Sequence, residues 1–322
     1  MVLARLGFIS GDPRAVYPAL LDFYSQQVLG FYEPRADEMV IVDRPAPVDG
    51  SADQIWAHEL AHAAQERLSR LPSRLLAMRR DGDAQRAASA VAEGDAMVVM
   101  FLASVSPGGE EAVLDAAAGL LERQKLPAPP GVPEFFIEDL MFPYTTGFQA
   151  ARERFRVGGW PALDEMLRRP PANTAALLRP GSVLSQRAIV DGDLAAVPAG
   201  YREVFTDTIG EWALAFWLGR AMPRAVAAEL ASVWDGDRVR VVARTADDDE
   251  WALVWRLRCR DVAARKQIEP ALARVMPCLL ANLGGGGVAV PLTWVAAGRE
   301  LELRAAWPTS SLPQSRPKPF GW

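Results

Sequence analysis

Only two histidines occur in the 322-residue chain, and they stand four apart with a glutamate after the first: His58-Glu59-Leu60-Ala61-His62. On an α-helix, residues four apart lie on one face, about one turn from each other. Two imidazoles at that spacing can converge on a tetrahedral Zn²⁺ at roughly 2.0–2.1 Å per Zn–N bond. Glu59 neighbours His58 on the side where a water polarised by the metal would sit. There it can take the proton as water attacks a carbonyl, then pass it to a leaving amine. The bare pattern arises by accident in histidine-rich chains, but here both histidines of the whole chain fall inside it, which lowers that risk. Trp56, Leu60, Ala61, Ala63 and Ala64 make the helix apolar on most sides and predict that it is buried. A buried pair of imidazoles and a carboxylate needs partners.

With no third histidine, a carboxylate from a following helix is the usual remaining ligand. Glu93 is the best candidate, in Ala90-Val91-Ala92-Glu93-Gly94-Asp95-Ala96-Met97. Two acids interrupt an otherwise apolar helical stretch, and burying them without a cation is costly. Gly94 costs about 1 kcal/mol in a helix interior, which points to close approach of another backbone. Asp95 can orient one of the histidines and fix its tautomer. The competing reading makes Glu93-Gly94-Asp95 a solvated break between two helices. Glu66, one turn beyond His62, is a weaker alternative ligand.

The rest of the chain bounds the function. Half of the residues are hydrophobic, so a sizeable core can form, and a net charge of -5 with pI near 5.3 argues against nucleic acid as a partner. Two cysteines, Cys259 and Cys278, make no disulfide scaffold and match no metal knuckle; they could pair, but the favoured reading is two inert buried thiols. The longest apolar run, Ala96 to Val105, is about half of the roughly 20 residues a membrane span needs. The N-terminus shows no export signal, which fits a cytoplasmic protein, or an exported one if the numbering starts inside a longer precursor.

Helical period dominates up to about Arg224. Helices are expected over Pro13–Leu29, Ser51–Leu71, Gly82–Ser104, Glu110–Lys125 and Glu134–Arg156, and in two pieces over Asp207–Trp234 around Pro223. Phe31 to Val42 reads as two short strands, and Leu126 to Pro133 as a stiff linker. After Trp234-Asp235-Gly236-Asp237 the period becomes two: Arg238–Val242 and Trp251–Leu257 pair across Asp247-Asp248-Asp249, and Val288–Val295 pairs with Glu300–Ala306. A helix, Asp261 to Val275, lies between. Gly284–Gly287 reads as a flexible hairpin lead-in rather than a phosphate loop. The expected fold is therefore α+β: a mostly helical domain over 1–234 with a small N-terminal β element, an antiparallel sheet region over 235–307, and an extended tail over 308–322.

From about Leu6 to Val242 the chain resembles a group of largely uncharacterised bacterial zincin-like metallopeptidases of the Glu-zincin (gluzincin) type. The specific signatures are Gly30-Phe31-Tyr32-Glu33-Pro34, His58-Glu59-Leu60-Ala61-His62-Ala63-Ala64-Gln65 and Glu93-Gly94-Asp95-Ala96. Gly158-Gly159-Trp160, Pro170-Pro171-Ala172-Asn173-Thr174, Asp207-Thr208-Ile209-Gly210-Glu211 and Trp234-Asp235-Gly236-Asp237 follow. The resemblance implies a zincin fold with Glu93 as third zinc ligand, and says little about substrate. One departure matters. Relatives carry a histidine in a Leu-His-Pro context where this chain has Leu178-Arg179-Pro180. A guanidinium is a competent oxyanion donor but shuttles no proton; a surface arginine in a turn is the alternative. In zincins the strand before the motif helix tends to be a sheet edge that an extended peptide can join, here Met39 to Val42.

The leading expectation is a zinc-dependent peptide-bond hydrolase acting on a peptide or protein, with Glu59 as general base and Arg179 as oxyanion donor. A non-catalytic, zinc-stabilised interaction protein is second, and a metal-free helical scaffold third.

Overall fold

The computed structural model describes residues 2–308 apart from 11, 43–50, 79, 124–127, 183, 186, 247–249, 282 and 284–289. The expected acidic turn Asp247–Asp249, the four-glycine run and the tail beyond residue 308 lie outside the described residues. In chain order the elements are α1 (Val2–Arg5), α2 (Pro13–Gln27), β1 (Gly30–Glu33), β2 (Glu38–Ile41), α3 (Ser51–Ser69), α4 (Leu71–Ala77), α5 (Gly82–Leu102), α6 (Glu110–Arg123) and α7 (Glu134–Phe142). A π-helical turn (Pro143–Gly147) leads into α8 (Phe148–Arg168) and α9 (Thr174–Leu178). Then come β3 (Tyr201–Asp207), α10 (Gly210–Gly219), α11 (Arg224–Ala231), β4 (Trp234–Arg244), β5 (Trp251–Cys259), α12 (Val262–Leu279), β6 (Leu292–Ala297) and β7 (Glu300–Ala305). The class is α+β, with one two-stranded and one five-stranded antiparallel sheet.

The chain divides into two compact units. One comprises residues 11–79 and 84–180; the other comprises 1–10, 80–83 and 181–322. The division falls at residue 180, whereas the helical period placed it near 234.

In the first unit, α2 starts on Asp12, whose side chain accepts from the Arg14 N–H at 2.9 Å, with Pro13 at its first position. Helix α3 stops at Ser69, two residues short of the end expected near Leu71, because Arg70 turns left-handed at φ 56, and α4 starts at Leu71. Helix α5 runs unbroken through Glu93-Gly94-Asp95, which excludes the reading of that triplet as a loop. Its Ala87, Ala88, Ala90, Val91, Ala96, Met97 and Val98 are all buried. Met97, Val98 and Leu102 pack with Leu114, Ala117 and Ala118 of α6 and Phe148, Ala151 and Leu163 of α8. A Cβ on Gly94 would lie 2.3 Å from the Gly147 carbonyl oxygen, and one on Gly147 would lie 2.2 Å from the Ala90 oxygen. The close backbone approach expected at Gly94 is therefore real, and it presses the π-helical turn onto α5. Within α8 the helical backbone breaks at Gly159, which takes φ 61, ψ -155, so the span is two helices meeting at a kink.

In the second unit the sheet order is β3-β4-β5-β7-β6. Strand β3 was not foreseen; it pairs with β4 from Tyr201↔Arg244 to Asp207↔Val239. Helix α10 packs on this sheet through Trp217, whose ring lies 5.7 Å from that of Trp255 on β5. That packing is why residues 181–234 belong with the sheet. Two of the sequence signatures meet here. Asp237, 2% exposed, accepts from the Ile209 N–H (3.0 Å), the Gly210 N–H (2.9 Å), Trp234 Nε1 (2.6 Å) and Trp255 Nε1 (2.9 Å). Four buried donors thus depend on one carboxylate. Asp237→Asn sets an amide NH₂ against them, and each orphaned buried donor costs about 1–3 kcal/mol. Urea unfolding should show a loss of about 2–4 kcal/mol on that basis; a midpoint equal to wild type would refute this role.

Candidate metal centre

Helix α3 presents His58 and His62 from adjacent turns, and α5 brings Glu93 against them. His58 Nε2 lies 3.1 Å from Glu93 Oε2 and 3.2 Å from His62 Nε2. His62 Nε2 lies 3.6 Å from the same carboxylate oxygen. Among the described residues this is the one group of three or more His, Cys, Asp or Glu side chains whose ligand atoms all lie within 4.8 Å of one another. The three side chains are 13%, 14% and 22% exposed, so the cluster is shielded yet reachable.

Its surroundings explain its ionisation. Burial alone would lower His62, but the charge of the Glu93 carboxylate and the hydrogen bonds the ring donates to Glu93 and Gln65 outweigh it and leave the imidazole at about 9. Burial would likewise raise Glu93, yet the two imidazoles and their hydrogen bonds hold it well below the usual carboxylate range. Glu59 is 7% exposed. Burial raises its pKa, with the histidines partly offsetting that, the direction that suits a general base working near neutrality.

The motif helix is less buried than its apolar composition implied: Trp56 is 47% and Leu60 56% exposed. These two sit one turn apart, on the side of α3 away from His58 and His62. Glu66, the alternative ligand, is engaged elsewhere. It accepts from the Ser73 N–H at 3.0 Å and from Ser73 Oγ at 2.7 Å, securing the first turn of α4.

Asp95 does not touch a histidine directly. It accepts from Gln65 Nε2 at 2.8 Å, and Gln65 Oε1 lies 3.0 Å from His62 Nδ1. The sequence showed Gln65 as part of the motif but gave it no role. Tyr144, in the π-helical turn, was not foreseen at all. Its hydroxyl donates to Glu93, its ring lies 6.4 Å from that of His58, and burial and both carboxylates push its pKa up. No local signal marks it, because the turn is placed by the Gly94–Gly147 contact between distant segments.

Arg179 caps the C-terminus of α9, half-buried, with its N–H on the Ala175 carbonyl at 2.9 Å. Helix α9 packs against the π-helical turn. The groups that perturb Glu59, His62, Glu93 and Tyr144 are mainly one another.

The strand nearest the motif helix is β1, not β2. A Cβ on Gly30 would lie 3.3 Å from Glu59 Cγ, and the Tyr32 N–H donates to the Glu59 carboxylate. The Val42 N–H bonds the Leu29 carbonyl at 3.0 Å, and pairing continues as Phe31↔Val40 and Glu33↔Glu38. By the alternation of an antiparallel ladder, Gly30 and Tyr32 turn their peptide groups away from β2.

No protein-family model matches the chain, and searches of curated proteins and of solved structures returned no match.

Proposed function

We propose that this chain is a zinc-dependent peptide-bond hydrolase of the gluzincin type. The carrying observation is the spacing of the three ligand atoms. A tetrahedral ion with bonds of about 2.0–2.1 Å sets its ligands about 3.3 Å apart. The distances of 3.1, 3.2 and 3.6 Å bracket that edge. Three protein ligands with a fourth position left open is the donor set of a catalytic rather than a structural zinc site.

Zinc, when bound, supplies Lewis acidity for polarising a carbonyl and acidifying a water. The chain's own groups do the rest. Glu59, buried and held by the Tyr32 N–H, accepts the proton of the attacking water and returns it to the departing amine. Tyr144, whose hydroxyl reaches the ligand cluster at Glu93, is suited to the oxygen on which negative charge develops. The outward Gly30 peptide groups and Tyr32 carbonyl of β1 offer an extended substrate an edge beside Glu59, in place of the β2 edge.

Metal content tests this reading. Protein purified without chelator should hold about one zinc per chain by elemental analysis. Glu93→Ala should lose it and melt at lower temperature, because bound metal stabilises the state that binds it. Glu66→Ala should keep it. Zinc-supplemented wild-type protein with no bound metal, or the two variants with exchanged phenotypes, would refute the assignment.

A further inference from the structure

The amide of Gln65 is 1% exposed and bridges α3 to α5. Its Nε2 donates to the Ala92 carbonyl at 2.9 Å and to Asp95 Oδ2 at 2.8 Å. A backbone carbonyl can only accept, so the NH₂ end must face Ala92. Flipping the amide would set oxygen against oxygen there. The remaining end, Oε1, is therefore the atom that lies 3.0 Å from His62 Nδ1. An amide oxygen can also only accept, so the proton between them belongs to His62 Nδ1. In the neutral ring this leaves Nε2 with a free lone pair, and Nε2 is the atom 3.2 Å from His58 Nε2 and 3.6 Å from Glu93 Oε2.

We propose that Gln65 is a positioning residue that locks His62 in its Nδ1–H tautomer, with its own orientation set by the Ala92 carbonyl and Asp95. The role rests on the zinc reading of the site. A single stretch of α5 then supplies the anchoring carbonyl (Ala92), the carboxylate ligand (Glu93) and the second anchor (Asp95). Asp95 acts at one remove, through the amide. Burial raises its pKa and the Gln65 hydrogen bond opposes that.

The scarcity of histidine makes the test clean. With two histidines in the chain, ¹⁵N-labelled imidazoles give two ring patterns in a long-range ¹H–¹⁵N correlation spectrum. In zinc-loaded wild-type protein, His62 should carry a solvent-protected proton on Nδ1. Gln65→Met keeps similar length without the hydrogen-bonding ends. That proton should then exchange rapidly, and zinc should bind about 10–100-fold more weakly. Asp95→Asn, whose Oδ1 can still accept from Gln65, should keep the protected proton and most of the affinity. A Gln65→Met protein with the wild-type His62 spectrum and zinc affinity would overturn the proposal. So would Nε2–H on His62 in the wild type, a measurement that needs no variant to fold. Reading the ring in zinc-free protein at a pH above the His62 value of about 9, where it is neutral, separates this idea from the metal reading. Nδ1–H without zinc uptake would overturn the metal and keep the lock, whereas Nε2–H would overturn the lock whatever the metal does.

Discussion

Glu59→Gln should leave zinc in place and remove nearly all hydrolysis of an unfolded protein or a broad peptide library. Glu59 is not among the three converging ligands, so elemental analysis should still find the wild-type zinc content. The substituted amide can accept the Tyr32 N–H as the carboxylate does, so the local backbone should hold. What it cannot do is take a proton from water. Loss of a positioned general base costs about 10²–10⁴-fold in rate, and turnover should fall by that factor with little change in substrate affinity. Zinc-loaded wild-type protein that cleaves nothing in the library, indistinguishable from Glu59→Gln, would support the reading of the chain as a zinc-stabilised interaction protein.

The second large effect should come from Tyr144 rather than Arg179. The Tyr144 hydroxyl bonds to Glu93 inside the cluster, whereas Arg179 caps α9. One oxyanion donor is worth roughly 10²–10³-fold in rate. Tyr144→Phe removes only that hydroxyl. It should lower kcat by such a factor while zinc content stays at the wild-type value. Arg179→Ala should change turnover far less, and Arg179→His should give no gain. If Arg179→Ala proves the costlier change and Arg179→His restores or raises the rate, the donor assignment belongs to Arg179 and Tyr144 only steadies Glu93.

Those contrasts show which parts of the site can be read from a single sequence. The His58–His62 pair is a property of one helix, so its spacing suffices. Glu93 was also legible. An acid in the middle of an apolar helix, next to a glycine, carries two costs that only a cation and a close backbone contact remove together. The structure places Glu93 at the imidazoles and Gly94 against Gly147. Glu66 lies outside the ligand cluster and accepts from Ser73 in the first turn of α4, a contact its spacing from His62 could not show. Tyr144 and the Gln65 amide were invisible for a common reason. Each acts across a contact between segments far apart in sequence, and neither residue type in its local setting announces a role.

The fold divided along the same line. Elements with strong local period, such as α5, β4 and β5, came out as expected. Strand β3 did not, because Tyr201-Arg202-Glu203-Val204-Phe205-Thr206-Asp207 is polar at several positions and becomes a strand by pairing with β4. Residues 181–234 were given to the helical part for a related reason. Helical period in α10 reveals an apolar face, but not that Trp217 spends it on Trp255. The Asp207–Glu211 and Trp234–Asp237 signatures, to which the sequence assigned no role, are joined by the buried Asp237 carboxylate, which accepts from Ile209, Gly210 and Trp234.

The claim at the centre of this account is that His58, His62 and Glu93 hold one zinc ion, and anomalous diffraction at the zinc edge from zinc-loaded crystals addresses it most directly. The account predicts a single strong peak about 2.0–2.1 Å from His58 Nε2 and His62 Nε2 and about 2.0–2.2 Å from a Glu93 carboxylate oxygen. Zinc-saturated crystals with no peak between those three residues, or with the ion bound elsewhere on the chain, would contradict it.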